Sequence, residues 1–156
     1  MATKWSKWVT SRDKLSAVAR EFLEAVRNFD PDLSETKGRC GKWSAKDIVS
    51  HIIGWEIEVV KRFQSFLAGD TANIDYDIDA FNSELVNARK HLSWKEVTQE
   101  LESARKEFDK ICRSISEENI NAEKRFLSWT VTLIKHYRHH MSQLTGPVIP
   151  GPGAGK

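Results

Sequence analysis

Apolar residues recur every three or four positions along most of this chain, which is the pattern of amphipathic helices. The first such run predicts helix one over about 11–29, capped by Thr10 or Ser11 and ended by Asp30-Pro31. Its apolar face carries Leu15, Val18, Phe22, Val26 and Phe29. A second run predicts helix two over about 45–68, where Ser44 and Asp47 have the spacing of a capping box.

The pattern weakens between residues 69 and 92 and then returns for two more helices. This long connection holds only a short helical piece near 79–90, anchored by Phe81 and Leu85. A second capping box, Ser93 to Glu96, predicts helix three over about 94–116, and helix four is predicted over about 122–145. Gly or Pro fills seven of the last eleven positions, so a flexible tail is expected over 146–156.

Four amphipathic helices without a strand pattern predict an all-α four-helix bundle, as one domain over 1–145. The 24 Lys and Arg nearly balance the 22 Asp and Glu, which predicts neither a nucleic-acid nor a membrane partner. No signal peptide and no apolar run of about 20 residues is present, so we expect a cytoplasmic protein. Cys40 and Cys112 form no CxxC pair and are expected to be free, structural thiols.

Three histidines fall on apolar helix faces. His136 and His140 lie four residues apart on helix four, a spacing at which two imidazoles can bind one metal ion. His51 lies on the apolar face of helix two and is the candidate third ligand, although alone it would more simply be a hydrogen-bonded core residue. His139 points about 100° away from His140 and is expected at the rim, and His91 is expected to be exposed.

The distance of each histidine from the end of its helix predicts how the helices are connected. At 1.5 Å per residue, His51 lies roughly 10 Å into helix two, whereas His136 and His140 lie roughly 7–14 Å before the end of helix four. The depths match only if the two helices are antiparallel, which requires an up-down-down-up bundle with 69–92 as the crossover between helices two and three. A divalent metal would satisfy three buried neutral imidazoles together, and three ligands leave a position open for water or substrate.

The motifs around these histidines resemble those of the DinB/YfiT-like metalloenzyme family. Trp43-Ser-Ala-Lys-Asp-Ile-Val-Ser-His51 is similar to its helix-two signature, His136-Tyr-Arg-His-His140-Met-Ser-Gln143 to its last-helix pattern, and Asp79-Ala-Phe-Asn82 to its crossover. The resemblance spans about residues 10–145. It implies an up-down-down-up bundle with Zn, Ni, Mn or Fe on His51, His136 and His140, often as a homodimer.

The resemblance also implies a chemistry, because characterised relatives include transferases and isomerases that use bacillithiol, mycothiol or glutathione. We therefore expect a metal-dependent thiol transferase acting on a small electrophile, with isomerase and hydrolase activity as related possibilities. Gln143 is either a support of the site or a polar helix-end residue, and Glu58 is either a cavity residue or a partly solvated charge. The competing hypotheses are a non-catalytic small-molecule-binding protein of stress resistance and a bundle with a purely structural metal.

Overall fold

The computed structural model describes residues 1–146, and these residues form an all-α fold. The helices are α1 (Lys4–Asn28), α2 (Ala45–Leu67), α3 (Ile78–Asn87), α4 (Trp94–Ser114), α5 (Glu117–Ala122) and α6 (Arg125–Thr145), with a 3-10 turn at Pro31–Leu33. The β-pairing in this part of the chain is one isolated bridge between Cys40 and Trp43. The all-α prediction is confirmed for the described residues.

Helices α2 and α4 begin where the two capping boxes predict. The side chain of Ser44 accepts the backbone N–H of Asp47, whose carboxylate accepts the backbone N–H of Ser44 in return. Ser93 and Glu96 make the same reciprocal pair at the start of α4. Each pair satisfies backbone donors that the first helical turn leaves without partners, which fixes the first residue of the helix.

The predicted bounds of the first and last helices differ from the structure. Helix α1 begins at Lys4 rather than near residue 11, because Thr3 caps it by accepting the N–H of Ser6 and because Trp8 is fully buried. Helix four was predicted from 122, but α6 begins at Arg125. It is preceded by the separate α5, which Ser116 opens with a third capping box. The polar residues from Thr10 to Lys14 interrupt the apolar pattern of α1, and α5 is too short to show a period, so the sequence pattern did not indicate either feature.

The four long helices share one apolar core, and Phe63 lies at its centre. The ring centroid of Phe63 on α2 lies 6.5 Å from that of Trp8 on α1, 5.8 Å from that of Phe108 on α4 and 5.1 Å from that of Phe126 on α6. All four side chains are at most 1% exposed. Full burial of such a side chain contributes about 1.5–3 kcal/mol, so this contact set holds all four helices together.

A buried polar cluster joins three of the same helices. The carboxylate of Glu56 on α2 is 1% exposed and accepts hydrogen bonds from Arg105 on α4, at 2.5 Å, and from the hydroxyl of Tyr137 on α6. Arg105 also donates to Asp109 at 2.8 Å. Burial, reinforced by the charge of Glu56, raises the pKa of Tyr137, so the hydroxyl stays protonated and remains a donor. Tyr137 is therefore held in place immediately beside His136.

The remaining predictions about the chain concern thiols, membrane and tail. Cys40 and Cys112 are both free, and burial raises the pKa of Cys112 to about 12. Among residues 1–146, no helix combines the length and the apolar character that crossing a membrane requires. The predicted flexible tail lies outside the described residues apart from Gly146, so the tail and the domain boundary at 145 stay predictions.

Candidate metal centre

The structure brings His51, His136 and His140 together. Nε2 of His136 lies 2.7 Å from Nε2 of His51 and 3.1 Å from Nε2 of His140. Each residue offers one nitrogen within 4.8 Å of the other two, so the three could bind one metal ion. His51 and His140 are 4% and 5% exposed, and His136 is partly buried.

All three imidazoles are neutral at pH 7. Burial lowers the pKa of His51 to about 2, with further lowering by His136 and His140 and a smaller opposing effect of Asn82. Burial and then the charge of His140 lower the pKa of His136 to about 3. Burial lowers the pKa of His140 to about 4, against an opposing hydrogen bond to Gln143. Neutral imidazole is the form that binds metal ions, because one ring nitrogen then carries a free lone pair.

The donor arrangement of this cluster fits a divalent cation. Nδ1 of His140 lies 2.6 Å from the side-chain oxygen of Gln143, so His140 donates through Nδ1 and turns the lone pair of Nε2 toward His136. Nε2 of His136 carries at most one hydrogen and cannot donate to both neighbouring Nε2 atoms. With hydrogen bonds alone, two of the Nε2 lone pairs would therefore face one another. An ion such as Zn²⁺ would instead accept one lone pair from each of the three histidines.

The loop before α2 positions His51 beside the end of α6. The ring of Trp43 packs on that of His51 with centroids 4.8 Å apart, and the loop folds back through positive-φ turns at Gly38 (103°) and Gly41 (58°). Arg39 donates to the carbonyl oxygen of Leu144 at 3.3 Å and to that of Gly146 at 2.6 Å. A cation at the C-terminal end of α6 also interacts favourably with the helix dipole.

A cavity of about 710 Å³ opens beside His51 and His136. Its walls are mainly apolar, with aromatic rings from Trp55, Tyr76 and Trp129 and polar groups that include Asn82, Lys135 and His139. A cavity of this size with a few polar groups is typical of small-molecule sites. His51 and His136 therefore face a space that a small ligand can occupy.

The family model of the DinB superfamily matches residues 14–144, a range that contains all three histidines. The chain belongs to the DinB superfamily. This result confirms the resemblance seen in the motifs. Neither the curated proteins nor the solved structures provide a significant match to the chain.

The structure of this DinB-superfamily chain also locates the other candidate residues. Gln143 contacts His140 directly, as described above. Glu58 is not among the residues that line the cavity; its carboxylate instead accepts the hydroxyl of Tyr76, a wall residue, at 2.5 Å. His139 is exposed at the cavity rim and His91 is exposed in the crossover, as expected.

Two wall residues, Tyr76 and Asn82, were not predicted as site residues. Both belong to the crossover, where the apolar periodicity is weakest, so the sequence could not indicate which side chains turn inward. The available signal was the similarity of Asp79-Ala-Phe-Asn82 to the crossover of DinB relatives.

Proposed function

We propose that His51, His136 and His140 hold one divalent metal ion and that this DinB-superfamily protein is a metal-dependent enzyme acting on a small molecule. The observation that carries the proposal is the convergence of three neutral Nε2 atoms next to a cavity of about 710 Å³. Zn, Ni, Mn and Fe all accept imidazole nitrogen, so the ligand set leaves the metal open among them. Three protein ligands also leave room for a substrate atom, as catalytic sites require.

The proposed reaction is transfer of a thiol to a small electrophile, with bacillithiol, mycothiol or glutathione as the thiol. A bound divalent ion would supply Lewis acidity, which lowers the pKa of a thiol close to it. The chain contributes the rest: Gln143 keeps the hydrogen of His140 on Nδ1, and the rings of Trp55 and Trp129 keep water from the cavity wall. The reaction type is proposed from the family resemblance, and the metal from the geometry of the three histidines.

We also propose that the long helices have up-down-down-up topology. Phe63, in the second half of α2, packs on Phe126 at the start of α6, whereas His51 near the start of α2 meets His136 further along α6. These contacts favour antiparallel α2 and α6. On α2, Glu56 contacts Arg105 of α4. Further along both helices, Phe63 contacts Phe108, and this shared order favours parallel α2 and α4. The crossover over 68–93 is long enough to make that connection.

Assembly as a homodimer is proposed from the family resemblance alone. The mass of the protein in solution, measured by light scattering after size-exclusion chromatography, tests it. A dimer has twice the chain mass of 17.9 kDa, and a monomer throughout the micromolar range would reject the proposal.

The function is tested by measuring metal content and thiol transfer on the same samples. Protein purified without a His tag is assayed by elemental analysis and against a panel of thiols and electrophiles. His136→Ala should lose both the ion and turnover, while His91→Ala, at an exposed crossover position, should keep both. A His136→Ala protein without metal but with full activity would reject metal catalysis. Stoichiometric capture of a ligand without turnover would instead favour the binding and stress-resistance hypothesis.

A further inference from the structure

Asn82 on α3 lines the cavity with the orientation of its side-chain amide fixed. The indole Nε1–H of Trp55 on α2 donates to Oδ1 of Asn82 at 2.7 Å. An indole N–H can only donate, so the oxygen end of the amide must face Trp55 and the NH₂ end must point away from it. The contact with Trp55 uses Oδ1 of Asn82 and leaves Nδ2 able to donate. The amide therefore presents a donor at the cavity.

This donor shares its cavity with two of the candidate metal ligands, His51 and His136. Asn82 and His51 both line the cavity, so a ligand that reaches the histidines passes within range of the amide. The Asn82 donor and the candidate metal centre can thus contact one small molecule.

Helix α3 is held firmly enough for Asn82 to act as a fixed donor. Gly54 of α2 allows close approach, because a Cβ added there would lie 2.4 Å from Cδ2 of Leu85 on α3. Val86 is buried, and Arg89, just after α3, pairs with Glu100 of α4 at 2.5 Å. Contacts on both sides therefore fix α3 against α2 and α4. A donor on a packed helix is positioned more precisely than one on a loop.

The charge and shape of the cavity restrict the ligand class. Within the described part of the chain, no carboxylate lines the cavity, and the nearby Glu58 accepts the hydroxyl of Tyr76. Lys135 lies at the rim and contributes a positive charge. The aromatic rings of Trp55 and Trp129 offer apolar faces to a flat molecule. These features favour a flat apolar molecule that carries a negative oxygen.

We propose that Asn82 is a substrate-binding residue that donates from Nδ2 to a carboxylate oxygen of a small aromatic acid held between the aromatic walls. The inference rests on the proposed function in placing the substrate in this cavity. It adds the class of substrate, an aromatic molecule that carries a carboxylate in addition to the electrophilic group that the thiol attacks, and the residue that selects it. A hydrogen bond to a charged acceptor is stronger than one to a neutral group, so Asn82 should discriminate acids from neutral analogues.

The test compares binding of 2-naphthoate with that of 2-methylnaphthalene, which has the same ring system without the carboxylate. Dissociation constants are measured by equilibrium dialysis for metal-stripped and zinc-loaded protein. Asn82→Leu should weaken 2-naphthoate binding about tenfold and change 2-methylnaphthalene binding less than about twofold. The matched control is Asn87→Leu, which makes the same substitution at an exposed position of α3 and should change neither constant.

Two further variants keep the test decisive if Asn82→Leu does not fold. Asn82→Asp keeps the acceptor for Trp55 but replaces the donor by a negative charge, so it should weaken 2-naphthoate at least tenfold. Trp55→Phe keeps an aromatic wall but frees the amide to turn, so preference for the acid should fall. Equal naphthoate affinity in wild type and in the folded Asn82 variants would overturn the inference, as would wild-type protein that binds neither probe.

Failure of this inference can be told apart from failure of the proposed function. If zinc binds and thiol transfer proceeds but Asn82 variants bind 2-naphthoate like wild type, only the inference is wrong. If the protein binds no metal yet loses naphthoate affinity in Asn82→Leu, the inference stands and the proposed metal function falls.

Discussion

The Nδ1 atom of His140 lies 2.6 Å from the side-chain oxygen of Gln143, three residues further along α6. This hydrogen bond fixes which nitrogen of His140 carries the hydrogen, so the other nitrogen faces His136 and His51 with its lone pair. In contrast, Nδ1 of His51 is buried without a hydrogen-bond partner within residues 1–146. Gln143 is therefore the side chain we expect to tune the affinity of the site.

Replacing Gln143 by Leu should weaken zinc binding by about 10- to 100-fold, because His140 loses the acceptor that orients its ring. Gln143→Glu keeps an acceptor and should retain most of the affinity. Zinc dissociation constants from competition with a chromophoric chelator provide the measurement, with Thr145→Ala, at an exposed position at the end of α6, as the control. Equal zinc affinity in Gln143→Leu and wild type would show that Gln143 is only a polar residue at the helix end.

The metal-free protein should lose stability in mild acid. Burial lowers the pKa of His51, His136 and His140 to about 2, 3 and 4, whereas all three return to about 6.5 when the chain unfolds. Between pH 6.5 and about 4 the unfolded chain therefore binds protons that the folded protein does not, so the free energy of unfolding falls as the pH falls. Relative to pH 7.5, the loss at pH 5.5 is about 1.4 kcal/mol for each histidine.

Urea unfolding of metal-stripped protein at pH 7.5 and pH 5.5 measures this loss. In His51→Asn the difference between the free energies of unfolding at these two pH values should shrink by about 1.4 kcal/mol, since one of the three groups is gone. Above pH 7 these histidines add no pH dependence. A free energy of unfolding that stays constant from pH 7.5 to pH 5.5 in the metal-stripped protein would show that the imidazoles are not buried as neutral groups.

The buried pair of Glu56 and Arg105 should show strong coupling. Glu56→Leu leaves Arg105 with Asp109 as its remaining carboxylate, so the free energy of unfolding should fall by about 3 kcal/mol. The double variant Glu56→Leu with Arg105→Met removes both charges and should be more stable than the sum of the single losses predicts. Denaturant unfolding of all four proteins completes this double-mutant cycle. Additive losses would mean that the two charges do not stabilise one another.

The sequence predicted the parts of the site that lie on strongly periodic helices. His51 and His136 lie on apolar faces whose period is unambiguous, and the capping boxes at Ser44 and Ser93 fix where α2 and α4 begin. Trp8 was missed because the positions three and four residues after it, Ser11 and Arg12, are polar and interrupt the apolar stripe before Leu15. Asn82 was missed because its orientation depends on Trp55, a tertiary contact that no local pattern encodes.

The most direct test of the metal centre is a cobalt titration of metal-stripped protein, followed by the visible absorption that Co²⁺ shows when nitrogen ligands bind it. Wild type and His91→Ala should each bind one equivalent with the same spectrum. His51→Ala should lose that absorption and most of the affinity, because the nitrogen from α2 is gone while α6 still supplies His136 and His140. An unchanged cobalt spectrum and affinity in His51→Ala would contradict a metal centre built from these three histidines.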